Sequence, residues 1–293
     1  MPTIRPVAQV ITAHQQREGA GFMVRRPFPT HGLDQVDPFL MLDEVGPIDY
    51  DPGQAIGAPD HPHRGFETVS YILAGEKLHE DSTGKTQLLT SGDVQWMTAG
   101  SGIVHSELPS PGFRERGGQA HGFQIWVNLP AAAKAATPGY QYVPADRIPR
   151  ATDDSNLVTV TVIAGSAFGT DAVIGTHTPI LLQDWQVQPG GEATLPMDPD
   201  HNVAAYLFEG SALFGPEATP VARSQIVVFG PGDEMHVTVP ANQDRAARFL
   251  LLAGKPINEP VARHGPFVMN TEDEIIAAIQ DFQSGRMGEI QRP

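Results

Sequence analysis

The sequence of 293 residues contains no cysteine. This absence excludes disulfide bonds, thiolate zinc sites, iron–sulfur clusters and cysteine nucleophiles together. Any metal that the chain binds must therefore use nitrogen and oxygen ligands.

Positive charge is scarce as well. Lys and Arg number 19 against 34 Asp and Glu, which gives a formal net charge of -15 at pH 7. A chain of this charge lacks the general basic field that holds proteins to phosphate backbones, so we expect no direct nucleic-acid binding. One local basic group remains, formed by Arg17, Arg25 and Arg26. It is either an anion or partner contact, or a charged strand edge that discourages aggregation.

Long apolar runs are also missing. No stretch reaches the roughly 18 consecutive apolar residues of a membrane-spanning helix. The segment from Met1 to Val7 contains no apolar run that would form the core of a signal peptide. We therefore expect a soluble, cytoplasmic protein that does not associate with membranes, and we take it to be a monomer.

Glycine and proline, in contrast, are abundant, with 30 and 27 residues. Together they make up roughly a fifth of the chain, above the usual combined share of about 12%. They punctuate two series of short apolar strands, one from Glu67 to Val127 and one from Leu157 to Ala253. Short strands separated in this way predict an all-β protein built from sandwiches or barrels.

The two strand series predict two domains. Their turns resemble each other, which suggests an internal duplication of one β module. Between them the chain is rich in alanine and proline, a composition typical of a linker. The predicted division is an N-terminal domain over residues 1–130, a linker over 131–149 and a C-terminal domain over 150–293.

The end of the chain carries the clearest helix signal. Thr271 followed by Glu274 has the form of a capping box, in which two side chains satisfy free amides of the first turn. Gly285 can end the helix. Before it, four apolar residues at helical spacing form one stripe: Ile275, Ile276, Ile279 and Phe282. We therefore expect a docking helix at the end of the C-terminal domain.

The stretch from Asp60 to Glu107 contains the candidate chemistry. His61 and His63 are two positions apart, as are His105 and Glu107. Alternate residues of a strand point to the same face, so each pair shares a face. If the two segments lie side by side in one sheet, three imidazoles and one carboxylate converge. Such a set suits first-row metals such as Fe, Ni, Cu, Zn or Mn.

The second module does not repeat these residues. The offsets of the four candidate ligands from the turn glycines of the first module lead to four positions in the second: Pro196, Asp198, Arg245 and Ala247. No set of four ligands appears there. We therefore expect the second module to have lost the site, or never to have had it.

Two kinds of motif carry a resemblance to known proteins. The pattern His-x-His-x3-Glu from His61 to Glu67, followed by the segment from Gly92 to His105, resembles the cupin superfamily. Longer blocks resemble the pirin family in particular: Asp60–Tyr71, Gln95–Gly100, Trp126–Leu129 and His264–Thr271. The blocks lie towards both ends of the chain, so the resemblance covers nearly the whole sequence.

The resemblance implies a fold and a set of ligands. Pirins consist of two tandem cupin barrels of jelly-roll type packed together, of which the N-terminal one binds iron and the C-terminal one is usually empty. The implied ligands are His61, His63, His105 and Glu107. In many other cupins the carboxylate ligand is the glutamate of the first motif, which is Glu67 here. The pirin resemblance and the face shared with His105 favour Glu107, which leaves Glu67 as a supporting acid.

The resemblance also implies two alternative functions. Pirins resemble quercetin 2,3-dioxygenases, which implies an Fe(II)-dependent dioxygenase that uses dioxygen on flavonol-like substrates, with other divalent first-row metals as alternatives to iron. Glu107 is then the candidate catalytic base. The other function is that of a redox-sensing regulator, which binds a transcription factor or a metabolic enzyme through its metal-bearing domain. The group of Arg17, Arg25 and Arg26 is a candidate contact for such a partner.

Four other residues are weighed against these ligands. His79 lacks a partner at ligand spacing and is expected to have no functional role. His121 is more typical of a hydrogen-bonding residue, and Trp126 of aromatic core packing. Arg64 either orients a ligand oxygen or forms a structural ion pair.

Overall fold

The structure of the chain, a computed structural model, describes residues 2–292 and consists mainly of β-strands. Its two α-helices are α1 (Pro111–Arg116) and α2 (Glu272–Gln283). Single turns of 3-10 helix occur at Ala131–Ala133 and Ala145–Arg147. None of the helices within residues 2–292 is long and apolar enough to cross a membrane. The predicted all-β class is confirmed.

The strands are short and fall into two series. Those of the first series are β1 (Val7–Thr12), β2 (His14–Glu18), β3 (Phe22–Phe28), β4 (Phe39–Tyr50), β5 (Ala58–His63), β6 (Phe66–Ala74), β7 (Lys77–Asp81), β8 (Thr86–Leu89), β9 (Val94–Thr98), β10 (Ile103–Leu108), β11 (Gly118–Asn128) and β12 (Gly139–Val143). Those of the second series are β13 (Arg150–Thr152), β14 (Val158–Ala164), β15 (Ser166–Ala167), β16 (Thr170–Asp171), β17 (Ile180–Val187), β18 (Glu192–Pro196), β19 (Asn202–Glu209), β20 (Ser211–Phe214), β21 (Thr219–Ala222), β22 (Gln225–Phe229), β23 (Glu234–Thr238), β24 (Ala247–Gly254), β25 (Ala262–His264) and β26 (Phe267–Met269).

The chain divides into two compact units, and the first is called here the histidine unit. It comprises Gln15–Arg26, Leu40–Asp146 and the segment from Ile257. A seven-stranded sheet in the order β12-β9-β6-β11-β4-β3-β2 and a four-stranded sheet in the order β5-β10-β7-β8 form its body. The hairpin β25-β26 completes the unit. All four candidate metal ligands belong to the four-stranded sheet.

The second unit is called here the apolar unit. It comprises the segment up to His14, Pro27–Phe39 and Arg147–Pro256. Its sheets have the orders β1-β22-β19-β24-β17-β14-β13 and β18-β23-β20-β21. The core takes apolar side chains from both sheets, with Trp185 and Phe214 among the largest that are fully buried.

The order of the strands confirms that the two units repeat one module. In the histidine unit, β5, β10, β7 and β8 are neighbours in the small sheet, and β9, β6, β11 and β4 are neighbours in the large one. The apolar unit pairs β18, β23, β20 and β21 in the same way, and likewise β22, β19, β24 and β17. Strands β5 to β11 therefore correspond one by one to β18 to β24.

The two units differ from the predicted boundaries at 1–130, 131–149 and 150–293. Strand β1 pairs with β22 of the apolar unit, and β12, which lies in the expected linker, pairs with β9 of the histidine unit. The segment from Ile257 also belongs to the histidine unit. Each large sheet thus takes an edge strand from outside the predicted domain, and such remote pairing leaves no trace in local composition.

Helix α2 begins as predicted but docks elsewhere. The Thr271 hydroxyl accepts from the Glu274 amide, and the Glu274 carboxylate accepts from the Thr271 amide, which completes the capping box. Ile275 and Ala278 are buried in an apolar cluster of the histidine unit. Ile276 was expected in the buried stripe but is 51% exposed. The buried face of the helix contains Ile275 and Ala278, which are three positions apart. Ile276 lies outside this face and points towards solvent.

Candidate metal centre

Neighbouring strands bring the candidate ligands together. Strand β5 carries His61 and His63, and β10 carries His105 and Glu107. The two strands are antiparallel neighbours in which His105 lies opposite His61 and Ile103 opposite His63. The expectation that the two segments lie side by side in one sheet is confirmed. The role of these residues as ligands stays a prediction.

Three imidazoles converge at this point of the sheet. The ring centroids lie 4.7 Å apart for His61 and His63, 4.3 Å for His61 and His105, and 4.9 Å for His63 and His105. One ring nitrogen of each lies within 4.8 Å of the other two. His63 and His105 are buried, whereas His61 keeps part of its surface accessible.

Hydrogen bonds to the backbone decide which nitrogen of two histidines is free. His61 Nδ1 lies 2.7 Å from the carbonyl oxygen of Pro59, and His63 Nδ1 lies 3.3 Å from that of Pro266. A carbonyl oxygen only accepts, so each Nδ1 carries the proton and donates. The two Nε2 atoms, 3.1 Å apart, then direct lone pairs at each other. A cation bound by both nitrogen atoms would remove the repulsion between these lone pairs.

His105 supplies a third free nitrogen. Its Nδ1 lies 3.4 Å from Nδ1 of His79, whereas its Nε2 is buried without a hydrogen-bond partner among residues 2–292. A buried nitrogen that is not hydrogen-bonded is costly unless a ligand meets it. Three imidazole Nε2 atoms, each with its Nδ1 engaged, form the arrangement in which histidines bind first-row metals. The residues therefore fit a divalent metal ion.

Burial keeps the imidazoles of His63 and His105 neutral, which is the form that binds metals. It lowers the pKa of His63 to about 3, with the neighbouring His61 acting in the same direction. The pKa of His105 is also held well below its ordinary value, first by burial and then by His63 and His61. Both rings are therefore uncharged at neutral pH.

Glu107 lies beside the three histidines and contacts other polar groups. Its carboxylate approaches His105 and His79, and these three residues form a second group with ligand atoms within 4.8 Å of one another. Ser70 Oγ donates to its Oε1 at 2.7 Å, and Lys77 Nζ lies 3.1 Å from the same oxygen. Burial raises the pKa of Glu107, but Lys77, His105 and Ser70 outweigh it and hold the pKa below its ordinary value.

Glu67, the alternative carboxylate, faces away from the centre. The Phe66 ring lies 5.0 Å from the His63 ring, and Ser70 bonds to Glu107, so these even-numbered residues of β6 face the site. Residues of a strand alternate between faces, which turns Glu67 to the opposite face. There Thr98 Oγ1 donates to Glu67 Oε1 at 2.7 Å. The geometry favours Glu107 over Glu67 as the carboxylate of the centre.

His79, which was expected to have no role, belongs to the centre. It lies on β7, which pairs with β10 on the side away from β5 and places His79 opposite Glu107. It is buried; its Nε2 lies 3.0 Å from the Tyr140 hydroxyl and 3.6 Å from Asp81 Oδ2. The alternation of Lys77, His79 and Asp81 along β7 is the signal that points to one polar face.

Aromatic side chains form a wall next to the centre. The Trp126 ring lies 5.3 Å from that of His63 and 4.3 Å from that of Phe66. Trp126 and Gln124 keep part of their surface accessible, whereas Ile125, on the other face of β11, is fully buried. The side of β11 that faces the histidines is therefore partly accessible, and Trp126 gives it an aromatic surface.

The remaining residues singled out in the sequence lie outside the centre. Arg64 donates to the Ser101 carbonyl and pairs with Asp281 of α2 at 2.7 Å, which makes it the structural ion pair. His121 contacts Glu44 at 3.0 Å. In the basic group, Arg26 pairs with Asp43 and Glu18, Arg25 donates to the Gly46 carbonyl, and Arg17 is exposed.

The apolar unit has hydrocarbon side chains where the histidine unit has its ligands. Strands β18 and β23 correspond to β5 and β10, and their buried residues are Ala193, Leu195, Met235 and Val237. The sequence offsets led instead to Pro196 and other positions outside this set. Counting from turn glycines missed the residues equivalent to His105 and Glu107 because Gly92 lies in the β8–β9 turn, whereas Gly232 lies in the β22–β23 turn, which corresponds to β9–β10.

Comparisons with known proteins match both modules of the chain. Residues 21–127 match the family model described as Pirin, and residues 182–288 match the model of the Pirin C-terminal cupin domain. The chain is 42% identical over 286 residues to a pirin-like protein of Solanum lycopersicum, covering 97% of this chain and 93% of the relative. It is 40% identical over 292 residues to Pirin of Homo sapiens, covering 98% and 96%.

A solved structure is similar over the whole length. The crystal structure of quercetin 2,3-dioxygenase from Acinetobacter baumannii matches with a TM-score of 0.91 and 34% sequence identity, covering 99% of this chain and 100% of that one. With both cupin modules matched and relatives aligned from end to end, the chain belongs to the pirin family.

Proposed function

We propose that the chain is a non-haem Fe(II)-dependent dioxygenase of the quercetin 2,3-dioxygenase type, which acts on flavonol-like substrates. The observation that carries the proposal is the convergence of three Nε2 atoms whose Nδ1 atoms are all engaged. Its likeness to the quercetin 2,3-dioxygenase of Acinetobacter baumannii supports the reaction type. His61, His63 and His105 would hold the ion, with Glu107 as the fourth ligand.

The donor set suits iron and leaves room for substrate. Three imidazoles and one carboxylate leave open positions on a six-coordinate ion, as in non-haem iron oxygenases. Bound iron would supply Lewis acidity towards a substrate oxygen and one-electron chemistry towards dioxygen. Manganese, nickel and other divalent first-row metals fit the same donors, and metal analysis distinguishes them.

The protein's own groups bind the substrate and accept its proton. Trp126, which keeps part of its surface accessible and packs on the buried Phe66, offers an aromatic face against which a ring system can lie. Glu107 is ionised at neutral pH, since its pKa is held below the ordinary value, and its carboxylate lies within 4.8 Å of a ring nitrogen of His105. It accepts the proton of a flavonol 3-hydroxyl as general base, and the oxidation that follows consumes one dioxygen and releases carbon monoxide.

The test adds quercetin to the Fe(II)-loaded protein under air and follows loss of flavonol absorbance together with carbon monoxide. We expect turnover above that of free Fe(II), and a loss of about a hundredfold or more in Glu107→Gln, the usual size for a removed general base. Glu67→Gln makes the same chemical change on the opposite face of β6, and we expect it to retain most of the activity.

Each outcome bears on the proposal. If Glu67→Gln loses as much activity as Glu107→Gln while both fold and bind iron, the assignment of the base is wrong. If the wild-type protein binds iron but consumes no more quercetin than free iron, the dioxygenase proposal is wrong. The alternative of a redox-sensing regulator would then be preferred.

A further inference from the structure

Lys77 reaches into the histidine unit and contacts the carboxylate of the centre. Its side chain is only 22% exposed, and its Nζ lies 3.1 Å from Glu107 Oε1, 3.3 Å from Ser70 Oγ and 3.5 Å from Gln124 Oε1. All three contacts are oxygen atoms of side chains that face the histidines. The ammonium group is thus directed at the site and not at solvent.

The position of Glu107 reflects this contact. Ligand atoms of Glu107, His79 and His105 lie within 4.8 Å of one another. Among residues 2–292, no carboxylate oxygen lies within 4.8 Å of the ligand atoms of all three of His61, His63 and His105. Ser70 and Lys77 both approach Glu107 Oε1, Ser70 as a donor at 2.7 Å. The carboxylate is therefore held beside the point where three nitrogens converge.

A partly buried ammonium and a metal ion compete for the same negative charge. The pair of Lys77 and Glu107 lies in surroundings of low dielectric constant, where an ionic contact is stronger than at the surface. To bind a metal fully, Glu107 must give up part of its contact with Lys77. That loss subtracts from the free energy of metal binding.

We propose that Lys77 is a positioning residue that competes with the metal for Glu107. The three histidines then hold the ion, and Glu107 is a weak, exchangeable fourth ligand that is free to act as a base. This inference rests on the metal site of the proposed function, but it does not depend on which reaction occurs there.

The test is a double-mutant cycle of metal affinity with Co(II) as the probe. Its visible spectrum reports coordination as well as occupancy. The cycle compares the wild type, Lys77→Met, Glu107→Gln and the double variant, with folding checked by circular dichroism. Lys77→Gln, which keeps a donor but no charge, is measured in parallel in case the longer apolar side chain disturbs the fold.

We expect Lys77→Met to bind Co(II) about tenfold more tightly than the wild type, because a hydrogen bond to a charged group contributes about that much. In the Glu107→Gln background the same substitution should change the affinity by less than about twofold, as expected once the competing charge is gone. Lys85→Met is the matched control, since Lys85 is exposed on the β7–β8 turn and lies over the Tyr140 ring. We expect it to leave the affinity unchanged.

Three results would overturn the inference. The first is an unchanged or weaker affinity in both Lys77→Met and Lys77→Gln. The second is an equal increase in Co(II) affinity on Lys77→Met in the wild-type and the Glu107→Gln backgrounds, which would mean that Lys77 acts through its charge in general and not through Glu107. The third is a wild-type Co(II) spectrum that Lys77→Met does not alter. A wild-type protein that binds no Co(II) at all would contradict the metal site itself, which separates that failure from this one.

Discussion

Single residues prepare the histidines as ligands by engaging their Nδ1 atoms. Backbone carbonyls accept from His61 and His63, whereas His105 depends on the side chain of His79. Substitution cannot remove a backbone carbonyl, but it can remove His79. This residue therefore offers a direct test of how far the outer contacts of a ligand determine metal binding.

We expect His79→Phe to weaken metal binding by about 10- to 100-fold, the usual cost of losing a contact that orients a histidine ligand. The phenylalanine ring fills the space but cannot engage His105 Nδ1, so the ring of His105 is free to turn or to change its protonated nitrogen. Co(II) titration measures the effect. His264→Phe is the control, because His264 is exposed in the same unit, and equal affinities in both variants would refute the role of His79.

Lys134 gives a prediction about pH. Its Nζ donates to Gly65 O, Asn128 Oδ1 and Val268 O, and burial lowers its pKa from 10.5 to about 8. Between these two values the unfolded chain holds a proton that the folded chain has lost. Stability therefore rises with pH through this window, because the penalty for the buried charge disappears.

The measurement compares the melting temperatures of the wild type and Lys134→Met at pH 7.5 and pH 9.5. The variant has no group that titrates at this position, so the difference between the two proteins isolates Lys134. We expect the melting temperature of the wild type to rise relative to that of Lys134→Met as the pH increases. A difference that stays constant or shrinks would contradict the lowered pKa.

Among the elements, the turn between β5 and β6 fixes the position of two ligands. Gly65 follows His63 by two positions and has a φ of +87°, which favours glycine. A Cβ atom there would collide with the carbonyl oxygen of Val268 on β26. The turn, the hairpin β25-β26 and Lys134 therefore form one tightly packed support beneath the centre.

We expect Gly65→Ala to destabilise the protein by about 2 to 4 kcal/mol, the sum of a positive φ and a steric overlap. Gly84→Ala is the matched control, because Gly84 has a φ of +84° but no neighbour within 4 Å of an added Cβ. It carries only the backbone cost, about 1 to 2 kcal/mol. Thermal unfolding of the two variants should rank Gly65→Ala as the less stable, and equal melting temperatures would contradict the overlap.

Elements also show where sequence patterns suffice. Strand alternation placed His61 with His63 and His105 with Glu107 correctly on shared faces, because that rule is local. The contribution of His79 could not be read in this way, since it depends on the pairing of β7 with β10 across a separation of more than twenty residues. The capping box of α2 could be predicted because it involves only neighbouring residues. The surface on which α2 docks could not, because it is formed by residues distant in the sequence.

In the whole molecule, the small sheet of one module has a polar interior and that of the other an apolar one. The strand orders of the two units coincide, yet the interior of the small sheet carries histidines in one and Ala193, Leu195, Met235 and Val237 in the other. Composition and turn spacing were enough to predict an all-β duplicated fold. They could not give the unit boundaries, because β1 and β12 pair with strands remote in the sequence.

The central claim is that His61, His63 and His105 together form the metal site of this chain. The most direct test is the stoichiometry of Fe(II) bound under anaerobic dialysis by the wild type and by His105→Ala. We predict one ion per chain for the wild type and none for a folded His105→Ala. A wild type without bound iron, or a variant that still binds one ion per chain, would contradict the account.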